Sequence, residues 1–86
     1  MSKQQTVLMY SSLFCPFCFR AKALIEKKGL LLEELIVDQD SELRQKMMKL
    51  SGRHTVPQIW IGEHHVGGCD ELFAIERSGQ LDKLLS

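Results

Sequence analysis

Two thiols stand three positions apart in Cys15-Pro16-Phe17-Cys18, a spacing at which two cysteines can exchange disulfides with each other or with a partner. The motif follows the apolar run Val7-Leu8-Met9-Tyr10 and opens a stretch with helical periodicity. A C-x-x-C between a strand and a helix is the sequence sign of a thiol–disulfide redox site. With Cys15 as the N-cap, Pro16 falls at the first helical position, where its fixed φ fits and its missing N–H costs nothing. The Cys15 sulfur then faces the free amides of Phe17 and Cys18 and the positive end of the helix dipole. A helix start of this kind favours thiolate, the attacking form, over thiol.

The other residues able to do chemistry are Cys69, His54, His64 and His65. They supply no second C-x-x-C and no recognised finger spacing, so a structural zinc site is the weaker reading and no metal is expected. Cys69 reads as a small packed residue at a helix start, His64-His65 as a solvated turn, and His54 as a loop residue.

Eighty-six residues suit one small domain, here taken as 1–86. The chain is 44% hydrophobic and 26% charged, which is ordinary for a globular protein and excludes a disordered one. Eleven basic residues balance eleven acidic ones, so broad electrostatic capture of nucleic acid or of an anionic membrane is not expected. Three cysteines are too few, and oddly numbered, for a secreted disulfide framework. Residues 1–5 lead into only a short apolar run, so neither a signal peptide nor a transmembrane helix is expected. The expected compartment is a reducing cytoplasm.

The elements that must position the thiols follow from periodicity. Residues 6–10 form a buried strand. Phe17, Ala21, Leu24 and Ile25 mark an amphipathic helix that Gly29 stops, and residues 31–37 form a second strand. Asp38-Gln39-Asp40-Ser41 is a turn rich in N-cap residues, after which Leu43, Met47 and Leu50 mark a second helix ended by Ser51-Gly52. A strand begins at Val56-Pro57, Gly62-Glu63-His64-His65 forms a turn, and Val66 lies in a brief last strand. Gly67-Gly68 precedes a third helix with Leu72 and Phe73 inward, and Leu81, Leu84 and Leu85 form a final helical turn. The predicted fold is α/β, in the order β-α-β-α-β-β-α, with a four-stranded mixed sheet flanked by helices. The first strand–helix–strand unit should be parallel and the last two strands a hairpin. This is the thioredoxin-like arrangement, with the site beyond the carboxyl end of the first strand.

Three segments together resemble a known family. Cys15-Pro16-Phe17-Cys18, Thr55-Val56-Pro57-Gln58-Ile59 and Gly67-Gly68-Cys69-Asp70-Glu71-Leu72 are similar, in order and spacing, to the signature segments of the dithiol glutaredoxins. The resemblance spans essentially the whole chain and is nearest to the small bacterial single-domain members, the glutaredoxin 3 type.

The resemblance implies a glutathione-dependent oxidoreductase that reduces protein disulfides and glutathione mixed disulfides. Cys15 is then the nucleophile and the more exposed thiol, with Cys18 as the resolving thiol. Phe17 forms an apolar wall, a cis bond precedes Pro57, and the exposed Val56 backbone pairs with the cysteinyl part of glutathione. Gly68, Cys69 and Asp70, at a helix start, hold the γ-glutamyl end, while Thr55 and Arg53 lie along the groove, Arg53 for the glycyl carboxylate. Glutathione enters as co-substrate. The implied partners are glutathionylated or disulfide-containing proteins, with ribonucleotide reductase and sulfate-assimilation reductases among them, and the implied state is monomeric. Two positions depart from the family pattern. Phe17 stands where many members have tyrosine, and Ser12 where members of this type often have a lysine that helps bind the glycyl carboxylate, so weaker glutathione capture is expected. A different class, an iron–sulfur carrier bridging two chains through Cys15 and glutathione, is disfavoured by Pro16 and the intact Cys18.

Overall fold

The computed structural model describes residues 6–85. Residues 1–5, read above as carrying no signal peptide, lie outside them. The order is β1 (Thr6–Ser11), α1 (Pro16–Lys27), β2 (Leu31–Ile36), α2 (Ser41–Ser51), β3 (Gln58–Ile61), β4 (His64–Gly67), α3 (Cys69–Ser78) and α4 (Gln80–Leu85). The strands form one mixed sheet in the order β2-β1-β3-β4, with β1 parallel to β2 and antiparallel to β3.

Strand alternation divides the apolar residues between the two faces of the sheet. Val7, Met9, Ile59 and Ile61 pack with Ala21, Leu24 and Ile25 of α1, Leu72 of α3 and Leu81 of α4. On the other side Tyr10 joins Val37 and Met47, with Leu8, Leu43, Val56 and Trp60 against them. The carboxyl end of β1 therefore emerges between two packed layers, and four residues separate it from α1. Among the described residues no helix is long and apolar enough to cross a membrane.

Three details differ from the sequence reading. The third strand begins at Gln58, just past the proline, because Pro57 has no N–H for the ladder; the Val56–Pro57 peptide bond is cis. The second strand stops at Ile36, although the Val37 N–H still bonds to the Ser11 carbonyl at 3.0 Å. His64 and His65 are not in a turn: the turn is Gly62-Glu63 alone, and both histidines lie in β4, with His65 opposite Trp60. Within α2, Met47 is fully buried and Leu50 is 56% exposed.

Candidate active site

Cys15 is the N-cap of α1 in extended backbone, and Pro16 follows as the first helical residue. This geometry turns the sulfur back over the helix start, where the Cys18 N–H donates to it at 3.1 Å. Of the two amides expected at the sulfur, the bond goes to Cys18. The Cys15 thiol points to the Val56 carbonyl at 3.9 Å, so the helix start and the loop before Pro57 meet at this sulfur. Both cysteines are reduced, and Cys18 lies deeper, 2% exposed against 8% for Cys15.

Burial pushes the Cys18 thiol up to about 12, helped by a hydrogen bond shared with Cys15 and by the charges of Cys15 and Glu34; a bond to the Ser12 backbone opposes this. Glu34 is held by Ser11, whose hydroxyl donates to it at 2.7 Å, and by the Lys22 ammonium at 3.4 Å. Cys18 is thus a thiol at neutral pH.

Beside Cys15 opens a groove that gathers every residue the resemblance implied for glutathione: Phe17, Arg53, Thr55, Val56, Pro57, Gly68, Cys69 and Asp70 all line it, with Gln58 and Glu71. Phe17 forms an apolar wall, 53% exposed. At the far end Gly68 caps α3, and Glu71 folds back so that its Oε1 accepts the Gly68 N–H at 2.6 Å. That bond, ahead of the nearby Arg53 charge, holds the Glu71 carboxyl below the usual range. Gly67 makes the fold-back possible: its φ of +114° suits glycine, and a Cβ there would lie 2.8 Å from Glu71 Oε1. Arg53 reaches the same oxygen at 3.4 Å.

The floor of the groove is tied down from beneath. Gln58 is fully buried; its amide donates to the Thr55 carbonyl at 3.0 Å and to the Thr55 hydroxyl at 3.3 Å. Its oxygen is 2.8 Å from His65 Nε2, which must then be the donor. Burial holds the His65 imidazole below the usual histidine range. The loop carrying Val56 is therefore fixed at both ends, by Cys15 and by Gln58.

The matched family model is Glutaredoxin, over residues 7–66. The chain is 52% identical over 80 residues to a glutaredoxin of Pseudomonas aeruginosa, covering 93% of this chain and 95% of that one. It is 49% identical over 79 residues to glutaredoxin 3 of Escherichia coli, covering 92% and 95%. Among solved structures, a buckwheat glutaredoxin–glutathione complex superposes with a TM-score of 0.85 at 30% identity, covering 94% of this chain and 76% of that one. The chain belongs to the glutaredoxin family. It is a glutathione-dependent thiol–disulfide oxidoreductase with a thioredoxin-like fold.

This glutaredoxin spends its departing Ser12 locally. The Ser12 hydroxyl and the Leu13 N–H, at 2.8 Å, both donate to Asp38 and hold its carboxyl below the usual range. Sequence reasoning missed Gln58, His65 and Glu34 as supporting residues, since each acts across elements. Glu71 had a readable signal, an acidic residue three positions after a helix N-cap. His54 is exposed and does not line the groove.

Proposed function

We propose that Cys15 is the nucleophile and Cys18 the resolving thiol, and that glutathione lies in the groove between Phe17, the Val56 backbone and the start of α3. The observation that carries this is the Cys15 sulfur itself, seated on a helix N-terminus and opening beside a groove whose far end is a second helix N-terminus. The Cys15 thiolate attacks the glutathionyl sulfur of a mixed disulfide; the new S–S bond forms as the old one breaks, and the protein sulfur leaves with the electron pair as thiolate. A second glutathione thiolate attacks the Cys15-bound glutathione, giving oxidised glutathione and restoring the Cys15 thiolate. For a protein disulfide, Cys18 loses its proton and displaces the substrate from Cys15, and glutathione reduces the resulting Cys15–Cys18 bond.

The Val56 backbone suits main-chain pairing with the cysteinyl residue. The first-turn amides of α3 have no intrahelical acceptors and suit a carboxylate, with the Asp70 carboxylate set for the neighbouring ammonium. Thr55 lies along the groove, and Arg53, already near Glu71, suits the glycyl carboxylate. The buckwheat neighbour, solved with glutathione, supports this reading. The enzyme is proposed to act as a single-domain cytoplasmic monomer on glutathionylated and disulfide-containing proteins, ribonucleotide reductase among them by family likeness.

The test is reduction of a small glutathione mixed disulfide, coupled to glutathione reductase and NADPH. Turnover is expected to survive in Cys18→Ser and vanish in Cys15→Ser. Turnover that persists in Cys15→Ser sinks the assignment.

A further inference from the structure

The apolar side chains left in water are concentrated along the chain next to the reactive thiol. Of seven exposed large hydrophobic residues among those described, four are Leu13, Phe14, Phe17 and Phe19, and Phe14 is 91% exposed. Phe17 belongs to the glutathione groove. Leu13 and Phe14 instead line a separate depression with Ile36, Asp38, Gln39 and Asp40, which shares no lining residue with that groove. Large apolar side chains left exposed in a depression with a polar rim mark an interaction site.

We propose that the Leu13–Phe14 depression docks the protein part of the substrate, selecting a cysteine-bearing segment with a bulky apolar side chain and a neighbouring lysine or arginine. The inference rests on the mechanism proposed above. In that reaction the glutathionyl sulfur bonds to Cys15 while the protein sulfur leaves as thiolate, so glutathione and the departing segment must both adjoin Cys15 at once. One depression is lined by Phe17 within the motif and the other by Phe14 immediately before it. Phe14 directly precedes Cys15, and an extended segment advances about 3.3 Å per residue, so a side chain one or two positions from the substrate cysteine reaches it.

Charge selects the occupant. The Asp38 carboxylate is kept ionised by the Ser12 hydroxyl and the Leu13 N–H, and Asp40 accepts the Leu43 N–H at 3.0 Å as the N-cap of α2. Neither aspartate forms an ion pair among the described residues, although the charge of Arg44 acts on Asp38. An apolar floor with an acidic rim fits an apolar side chain beside a cation. A second copy of this chain, joined through the same face, would bring two acidic rims together. Glutathione has two carboxylates and no bulky apolar side chain, so it fits the other groove.

The test uses two glutathionylated peptides of equal length, one with phenylalanine and lysine flanking the cysteine and one with serine and glycine, beside a small hydroxyethyl–glutathione disulfide. Wild type is expected to favour the first peptide by about tenfold in kcat/KM, the scale of burying one aromatic side chain. Phe14→Ser should erase that preference. Asp40→Asn, which keeps the α2 cap, should reduce it about two- to threefold and flatten its salt dependence. All three proteins should act on the small disulfide within about twofold of one another. Equal rates on both peptides, or a preference that Phe14→Ser leaves intact, overturns the proposal. So does sedimentation showing a dimer that Phe14→Ser dissociates. Failure of wild type on the small disulfide would instead overturn the mechanism beneath it.

Discussion

Two cysteines sit at two helix starts in this glutaredoxin, and only one is placed for chemistry. Cys15 is the N-cap of α1, and its sulfur takes the Cys18 N–H. Cys69 is the first residue inside α3, where its side chain joins the core cluster and burial pushes the thiol up, above the pull of nearby Arg20. Their exposures are nearly equal, 8% and 6%, so accessibility does not separate them. Position by one residue does. A side chain at the N-cap turns back over the free amides, whereas one position later it points away from them. At α3 the cap is Gly68, which has no side chain, and the positive helix end is left facing the groove.

The sharpest way to break this contrast is Cys15→Ser. Serine is a good N-cap, so stability in urea unfolding should stay within about 1 kcal/mol of wild type. Turnover should fall at least about a thousandfold, because the hydroxyl is a weak nucleophile. A large loss of stability instead would make Cys15 a structural cap first. The next effect is an order of labelling. With iodoacetamide at pH 8 and peptide mass mapping, Cys15 should react roughly a hundredfold faster than Cys18 or Cys69, whose thiols desolvation pushes up. Labelling of Cys69 alongside Cys15 would show that the helix start alone is enough.

Gly67→Ala sharpens the α3 side. The new methyl meets Glu71 Oε1, and the positive φ is strained for alanine. A loss of about 1–2 kcal/mol is expected, with a severalfold rise in the KM for glutathione and little change in kcat. The smallest effect is that of Glu71→Gln, which removes a negative charge from the end proposed for the γ-glutamyl carboxylate and should lower that KM about twofold. It also carries a pH signature. The folded Glu71 carboxyl titrates below its unfolded value, chiefly through the Gly68 N–H and despite opposing desolvation. Its contribution to stability is therefore present above the usual glutamate pKa and is lost as pH falls through the lower folded value. Thermal melts of wild type and Glu71→Gln should converge over that acid window, and parallel curves would refute the fold-back.

Local chemistry was legible in the sequence, and long-range polar support was not. The Cys15-Pro16 helix start, the Asp40 cap of α2 and the glycine stops announce themselves within a few residues, because caps and turns are set by neighbours. The eight groove residues were named by likeness in three segments, and the fold brings all eight to one depression. By contrast, Gln58 reads as an ordinary strand residue, yet its amide spans Thr55 and His65. His65 was taken for a turn because β4 has only four residues and a register shift at Ile59/Trp60, too little to show alternation.

Trp60 stands between Tyr10 and His65, 5.5 Å from one ring in an edge arrangement and 4.6 Å from the other. It is the sole tryptophan, and the imidazole beside it is bonded to Gln58 beneath the groove proposed for glutathione. Intrinsic fluorescence is therefore a built-in optical reporter on that floor. Proton uptake by His65, below the usual histidine range, puts a quenching cation against the indole, so emission read against pH follows the anchor of the Val56 loop without any added label.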